Sequence, residues 1–313
     1  MRLSVLGKAD EDETHQDSVW TCAWSPKSDL LVTGSVDESV NVYHELDGKV
    51  KRHHNYSGHT LGVISVDVDP SGEFAASSAL DSFIRVWSLQ DHITKDVIET
   101  PPSETWAICF NPASDTLQIA AAGGSSNGIS LYNCDGSGTP VSTMSLPAGD
   151  EKFKKDRFVL SIAFSPDGQR LACGSQDGTV AVFDVSSGKL LHALEGHFKP
   201  VRSLTFTPDS KMLLTACDDM HSHLYDVEHA SLVEAFSGHE SWVLSVACHP
   251  SGSCFATGSS DSKVKLWDMS SRSCAQTLTE HSDQVWDVAF NAAGNRFASV
   301  SDDKNVALYS FQQ

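Results

Sequence analysis

Short hydrophobic segments alternate with polar turns along the whole chain. Near its start, the segments SVWTCAW, LLVTGS and VNVY are rich in β-branched and aromatic residues, and clusters of Pro, Ser, Gly and Asp separate such segments from one another. This composition is typical of short β-strands joined by turns. Helical periodicity does not extend over a dozen residues anywhere. The pattern therefore predicts an all-β chain.

The strand-like segments fall into a repeat. An aspartate stands six residues before an aromatic residue in the pairs Asp37–Tyr43, Asp81–Trp87, Asp177–Phe183, Asp219–Tyr225, Asp261–Trp267 and Asp303–Tyr309. The segment SSNGISLY supplies one more unit, with Ser126 in place of the aspartate and Tyr132 as the aromatic residue. The spacing from one aromatic residue to the next lies between 42 and 51 residues. The chain therefore contains seven units.

A histidine marks the start of five units. It stands 22 residues before the aspartate as His15, His59, His197, His239 and His281, and units three and four lack it. A repeat of this length with Gly-His and Trp-Asp signatures is the mark of a WD-repeat β-propeller, with four strands in each blade. We predict a single seven-bladed domain over residues 1–313.

The last unit ends at its third strand, in VALYSFQQ, so one outer strand is missing. We expect residues 1–14 to supply it and to close the ring by pairing with the last blade, which removes an open sheet edge. The longest spacing contains a charged stretch at 148–157. It is predicted to be a loop insertion at the surface, with a docking element as the alternative.

A histidine, a hydroxyl and an aspartate within one unit are also the ingredients of a hydrolase triad. In a propeller blade, however, these side chains and the aromatic residue can form one hydrogen-bonded network. The two sets that end in tryptophan are His59, Ser77, Asp81 and Trp87, and His239, Thr257, Asp261 and Trp267. The five-fold repetition favours a structural role, because a catalytic triad would occur once. The G-x-S-x-G match at 124–128 lies in a hairpin turn instead of between a strand and a helix. We therefore predict no enzyme activity, no catalytic residues and no cofactor.

Residues that depart from the repeat are the candidates for function. The position five residues after each histidine begins the inner strand, at the end of the central channel that we call the top face. We predict a partner-binding surface there, made of Trp20, Ile64, Leu80, Trp106, Arg202, Trp242, Leu244, Trp286 and Asp302. A partner would place an aromatic or aliphatic side chain among the tryptophans, with Arg202 or Asp302 fixing its polar groups. The alternative is that the tryptophans pack between blades as core.

The composition restricts the classes of partner and the cellular location that we expect for this chain. The net charge of −19 disfavours direct contact with nucleic-acid phosphates. The start of the chain does not resemble a signal peptide and no apolar run is long enough to span a bilayer, so we expect a location in the nucleus and cytoplasm. The eight cysteines form no CxxC pair and are expected to be reduced, buried small hydrophobes. His221 and His223, taken to be exposed, are too weak a signal to predict a metal site.

Three stretches resemble a known family beyond the generic repeat. They are GHTLGVISVDVDPSGEFAASSALDSFIRVW (58–87), the region 161–219 that begins SIAFSPDGQRLACGSQDGTV, and YDVEHASLVEAFSGHESWVLSVA (225–247). They are similar to the WD-repeat subunit of the superkiller complex, a family that includes the animal WD-repeat protein shared with the RNA polymerase II-associated factor complex and the plant vernalization-independence WD-repeat protein. The charged insert at 148–157 departs from the animal form and favours a plant member.

This resemblance implies a non-enzymatic adaptor that is monomeric within hetero-complexes. Its implied partners are the helicase and repeat-scaffold subunits of the superkiller complex, which feeds mRNA to the exosome for 3′-to-5′ decay. The subunits of the polymerase-associated complex, which supports transcription elongation and histone modification, are the other implied partners. Two alternatives stay open: another WD-repeat scaffold, such as a ubiquitin-ligase substrate receptor or a G-protein-β-like signalling scaffold, and a propeller enzyme.

Overall fold

A computed structural model describes residues 1–10, 12–46, 49–102, 105–123, 128–146 and 158–312. Within these ranges the chain is all-β, with no helix, and it forms seven antiparallel four-stranded sheets arranged as the blades of a propeller. The fold prediction is therefore confirmed. Ser126 and the stretch 148–157 lie outside the described residues, as does most of the G-x-S-x-G match at 124–128. Among the described residues there is no helix with the length and hydrophobicity needed to cross a membrane.

Each blade runs from an inner strand at the channel to an outer strand at the rim. The strands of blades one to three are β2 (Val19–Trp24), β3 (Leu31–Ser35), β4 (Val40–Leu46), β5 (Lys49–Tyr56); β6 (Val63–Val68), β7 (Phe74–Ala79), β8 (Phe83–Ser88), β9 (Thr94–Glu99); and β10 (Ala107–Phe110), β11 (Gln118–Ala122), β12 (Gly128–Asn133), β13 (Pro140–Ser145).

Blades four to seven follow the same order. Their strands are β14 (Val159–Phe164), β15 (Arg170–Ser175), β16 (Val180–Asp184), β17 (Leu190–Leu194); β18 (Val201–Phe206), β19 (Met212–Cys217), β20 (His221–Asp226), β21 (Ser231–Ser237); β22 (Val243–Cys248), β23 (Cys254–Ser259), β24 (Val264–Asp268), β25 (Ser273–Leu278); and β26 (Val285–Phe290), β27 (Arg296–Ser301), β28 (Val306–Gln312), with β1 (Arg2–Lys8) as the outer strand of blade seven.

The hydrophobic core lies between the blades. Val32 and Val42 of blade one, for example, pack in one buried cluster with Val63 and Val66 of blade two. Hydrogen bonds also join neighbouring blades. The backbone N–H of Cys22, for example, donates to Asp287 of blade seven at 2.9 Å. Stacked side chains and these hydrogen bonds hold each sheet against its neighbours, which fixes the positions of the loops at both ends of the channel.

Strand β1 completes blade seven. It pairs antiparallel with β28, with Leu3 opposite Phe311 and Lys8 opposite Ala307. The side chain of Gln276 on blade six mimics a further strand: it accepts from the Leu3 N–H at 2.8 Å and donates to the Leu3 carbonyl at 2.9 Å. Ala9 then forms a parallel bridge with Val50 of blade one. The segment thus contacts three consecutive blades.

Two expectations about side-chain exposure are corrected. All eight cysteines are free, but Cys274 is exposed on the outer strand of blade six, and Cys109, Cys134 and Cys248 are only partly buried. His223 was expected to be exposed, yet it is buried because its ring stacks on His197, with centroids 3.8 Å apart.

Candidate functional site

In blade six, four side chains form a continuous hydrogen-bonded network. His239 Nδ1 lies 2.9 Å from Asp261 Oδ2, His239 Nε2 lies 2.7 Å from Thr257 Oγ1, and Trp267 Nε1 donates to Thr257 Oγ1 at 2.9 Å. The donors and acceptors assign the protons: the imidazole Nδ1–H donates to the carboxylate, and the threonine hydroxyl donates to Nε2. Every member of this network therefore has a partner, the condition under which a buried network stabilises a fold.

Blade two has the same arrangement. His59 lies 3.0 Å from Asp81 Oδ2 and 2.8 Å from Ser77 Oγ, and Trp87 Nε1 donates to Ser77 Oγ at 2.8 Å. Burial of the imidazole lowers the pKa of His59, so the ring is neutral and able to accept a hydrogen bond from the serine hydroxyl. Ser77 and Thr257 are both fully buried. A substrate in solvent therefore has no access to either hydroxyl, so neither is placed to act as a nucleophile.

The three blades that end in tyrosine differ from one another. In blade seven the Tyr309 hydroxyl lies 3.1 Å from Ser299 Oγ. In blade one the Tyr43 hydroxyl instead donates to the carbonyl of Glu13 and accepts from Asn41. In blade five the hydroxyl contacts a histidine of the same strand, so the network there ends at its threonine. The tyrosine hydroxyl therefore binds whichever polar group its own blade offers.

The aspartates of the networks in blades five and six stay ionised. Burial raises the pKa of Asp261, but the hydrogen bond from His239 and those from the backbone N–H groups of Glu240 and Lys263 outweigh it and lower the pKa to about 2. The same balance lowers the pKa of Asp219 in blade five to about 2. Each carboxylate accepts from the histidine and from turn amides, which ties the loop before the inner strand to the turn between the second and third strands.

Blade five contains the one group of possible metal ligands that lies within 4.8 Å among the described residues: His197, Asp219 and His223. His197 already uses both ring nitrogens, at 2.6 Å from Asp219 and 2.8 Å from Thr215. His223 Nδ1 contacts the Tyr225 hydroxyl at 3.0 Å. Binding of an ion by His197 would break the network of this blade. We therefore assign the group to the fold instead of to a metal.

Replacement of Thr257 by valine is expected to destabilise the protein by about 2–4 kcal/mol, because it leaves His239 and Trp267 without their shared buried partner. Thr215→Val in blade five is the matched control. Its hydroxyl serves His197 but no aromatic donor, so the expected cost is smaller by about 1 kcal/mol. The exposed Thr277→Val should lie within about 0.5 kcal/mol of the wild type. Urea unfolding measures all three, and equal costs for Thr257 and Thr215 would contradict the four-member network.

The second feature is the mouth of the channel at the top face. Six of the nine residues predicted to bind a partner line a cavity of about 340 Å³ there, which we call the channel mouth: Trp20, Ile64, Trp106, Arg202, Leu244 and Trp286. The rings of Trp20 and Trp286 lie 5.7 Å apart, and Trp106 meets Phe158 edge to face at 5.5 Å. The indoles are half-buried. They are therefore partly packed against the blades and partly open to the cavity.

Two polar residues of the predicted surface hold other side chains of this protein in place. Trp286 Nε1 donates to Asp302 at 2.7 Å. Arg202 forms a double hydrogen bond with Asp218, at 2.9 and 2.7 Å, and its guanidinium lies 5.9 Å from the centre of the Trp242 ring. The expectation that Arg202 or Asp302 fixes polar groups of a partner stays a prediction, and each of these side chains already has an internal partner.

Exposure separates the remaining residues. Leu244 is only 4% exposed and contributes to the wall of the cavity, whereas Trp242 and Leu80 are each 47% exposed on the surrounding loops. Hydrogen bonds join these loops to the neighbouring turns, from Leu80 N to Gly62 O at 3.0 Å and from Ser260 N to Trp242 O at 2.9 Å. Trp242 and Leu80 thus border the channel mouth on a backbone that is fixed.

Three further apolar side chains are exposed on loops of the same face: Leu61, Phe198 and Met220. Phe198, at 89% exposed, follows the histidine of blade five, where units one, two, six and seven have Gln16, Thr60, Glu240 and Ser282. Met220 follows the turn aspartate, a position that is polar or glycine in the other units with an aspartate. An apolar residue in a polar column of the repeat is the signal that would have identified both.

Comparison with known proteins agrees with the repeat. The WD domain, G-beta repeat family model matches residues 11–44, 50–88, 230–268 and 272–310, and a Vps8 beta-propeller model matches residues 146–234. The WD repeat-containing protein VIP3 of Arabidopsis thaliana is 45% identical over 210 residues, which cover 64% of each chain. The WD repeat-containing protein SL1-17 of Schistosoma mansoni is 32% identical over 200 residues, covering 63% of this chain and 62% of the relative.

The match thus spans less than two thirds of the length of these relatives. The meiotic recombination protein rec14 of Schizosaccharomyces pombe is 26% identical over 213 residues, covering 65% of this chain and 64% of its own. The predicted resemblance to the plant WD-repeat protein and its animal relatives is confirmed by the first two matches.

Proposed function

Because this chain is a seven-bladed WD-repeat β-propeller of the scaffold type, we propose that it is a non-enzymatic adaptor subunit of two assemblies. One is the superkiller complex, which supports exosome-linked 3′-to-5′ mRNA decay. The other is the RNA polymerase II-associated factor complex, which supports transcription elongation and histone modification. The similarity to the plant VIP3 protein over 210 residues supports this assignment.

The observation that carries the proposal is the concentration of apolar side chains at one end of the channel. Trp20, Trp106 and Trp286 line the cavity, while Phe198 and Trp242 stand exposed on loops of the same face. Exposed apolar clusters mark interaction sites in soluble proteins, and tryptophan is among the residues that contribute most to binding energy. The proposed partners are therefore proteins that insert an apolar side chain into the channel mouth.

The proposal of a non-enzymatic role rests on the buried networks. The hydroxyls that a triad would need as nucleophiles are fully buried and already shared between a histidine and a tryptophan in blades two and six. The network of histidine, hydroxyl and aspartate recurs in several blades, which favours a structural role because a catalytic triad would occur once.

The proposed location is the nucleus and the cytoplasm, since the two complexes act in different compartments. The test is affinity purification of the tagged chain from separated nuclear and cytoplasmic extracts, followed by mass spectrometry. We expect the helicase and repeat-scaffold subunits of the superkiller complex in the cytoplasmic fraction, and subunits of the polymerase-associated complex in the nuclear fraction. Recovery of ubiquitin-ligase or G-protein subunits in their place would overturn the assignment in favour of another WD-repeat scaffold.

A further inference from the structure

Four histidines lie together at the outer rim, where blade one meets blade two. His44 belongs to β4, His53 and His54 belong to the outer strand β5, and His92 lies in the turn before β9 of blade two. The ring centroids of His44 and His53 are 5.5 Å apart, as are those of His53 and His92. We call these four residues the rim histidine cluster. It is separate from the channel mouth and from the networks of the blades.

Two local features of the backbone create the cluster. The pairing of β4 with β5 shifts register between Val42 and Tyr43, which face His54 and Arg52, so that His53 is the extra residue of a β-bulge. A bulge redirects side chains that would otherwise alternate between the two faces of a strand. His92 has a φ of 59°, in the left-handed region of its turn. The turn thereby brings its ring against blade one.

Contacts within the cluster orient the ring of His92. It stacks on His54, with centroids 4.1 Å apart and an angle of 13° between the planes. The Tyr56 hydroxyl donates to the Ser88 carbonyl at 2.6 Å, and its oxygen lies 3.4 Å from His92 Nδ1. A proton on Nδ1 satisfies this contact, which leaves the lone pair of Nε2 for a ligand. A hydrogen bond to the ring nitrogen that does not bind the ion is typical of metal-binding histidines.

The other rings offer lone pairs as well. A neutral imidazole keeps a lone pair on one ring nitrogen, and the exposed ring of His53 lies beside those of His44 and His92. His44 Nδ1 is buried and has no hydrogen-bond partner among the described residues. A buried nitrogen without a partner costs free energy that a ligand would recover.

We propose that His44, His53 and His92 bind a divalent transition-metal ion such as Zn²⁺, with His54 as the positioning residue that stacks on His92. Imidazole nitrogen is a preferred ligand of such ions. Imidazoles bound to one tetrahedral Zn²⁺ have ring centroids roughly 5 Å apart, close to the separations on both sides of His53. Among the described residues, the nitrogens of this cluster do not all lie within 4.8 Å of one another, so the exposed ring of His53 would rotate towards the ion, while the ring of His92 keeps its contacts with His54 and Tyr56. The bound ion would link blade one to blade two.

The test uses the full chain without a purification tag, because a histidine tag would bind the same ion. Titration with Zn²⁺ in a calorimeter is expected to show one equivalent bound by the wild type. The double variant His53→Ala/His92→Ala should bind at least about tenfold more weakly. The matched control is His192→Ala/His229→Ala, which removes two histidines from blades four and five, one of them in the turn that corresponds to the turn of His92. It should bind as tightly as the wild type.

Histidine-selective NMR labelling locates the ion independently of affinity. Zn²⁺ should shift the ring signals of the rim histidine cluster while those of His197 and His223 stay in place. Equal affinity of the two double variants, no binding by the wild type, or shifts at His197 and His223 would each overturn the proposal. If the first variant folds poorly by circular dichroism, His92→Gln alone, at an exposed turn, gives the same comparison.

Discussion

Replacement of Trp20 and Trp286 together by alanine is expected to abolish the capture of partner proteins while the propeller stays folded. The two rings lie 5.7 Å apart at the channel mouth and are half-buried, so each is partly packed against the blades and partly open to the cavity. Truncation of a tryptophan at the centre of an interface costs about 2 kcal/mol or more. Two such losses weaken binding by roughly a thousandfold, which is enough to remove a partner from an affinity purification.

The measurement is quantitative recovery of partner proteins with the variant as bait, together with its melting temperature. Leu232→Ala/Val141→Ala is the matched control, because both residues are exposed and apolar but lie on outer strands of blades five and three. It should capture partners as the wild type does. Intact capture by the tryptophan variant would show that the channel mouth does not bind. A melting temperature far below that of the control would instead favour packing between blades as the role of the tryptophans.

The prediction of seven four-stranded units came from the sequence because the repeat has several independent landmarks. The histidine, the aspartate and the aromatic residue recur at fixed spacing, and each lies in the corresponding place of its blade. Closure of the ring was also predictable, since a unit with three strands leaves an unpaired edge and the segment RLSVLGKA lies just before His15, where an outer strand belongs.

The repeat did not predict the partners of the tyrosine hydroxyls. Tyr43 contacts Asn41 and the backbone of Glu13, neither of which belongs to the landmarks. Arg202 is another such case: the aspartate that it binds, Asp218, recurs as Asp302 in blade seven, but the partner there is Trp286 instead of an arginine. The spacing of landmarks in the repeat predicts where a residue lies in its blade. Its hydrogen bonds depend on the side chains at neighbouring positions, which differ from blade to blade.

The rim histidine cluster was missed for a different reason. His53 and His92 come from separate units, and a bulge in β5 directs the first of them towards the second. A register shift of one residue leaves no mark in the hydrophobic pattern of an outer strand, because both faces of such a strand tolerate polar residues. Contacts between neighbouring outer strands were therefore the least predictable part of the fold.

Deletion of residues 2–9 is expected to lower the melting temperature of the whole protein and to promote aggregation. Strand β1 buries Leu3, which is 1% exposed, against Phe311 and Leu278, and it covers the backbone edge of β28. Loss of this apolar contact and of the strand ladder costs roughly 5 kcal/mol or more. In a domain of this size such a loss lowers the melting temperature by about 10 °C. The uncovered edge of β28 is then free to pair with another chain.

Point variants separate the contribution of side-chain packing in β1 from that of its backbone pairing. Leu3→Ala should lower the melting temperature by several degrees, because it leaves a cavity beside Phe311, whereas Val5→Ala on the same strand should have little effect, since Val5 is exposed. Gln276→Ala should also destabilise the protein, because it removes both hydrogen bonds to the Leu3 backbone. Thermal unfolding of the deletion and the three point variants tests whether β1 closes the ring.

An unchanged melting temperature after the deletion would mean that six complete blades and a three-stranded seventh are stable without β1. Equal effects of Leu3→Ala and Val5→Ala would mean that the strand contributes through its backbone alone.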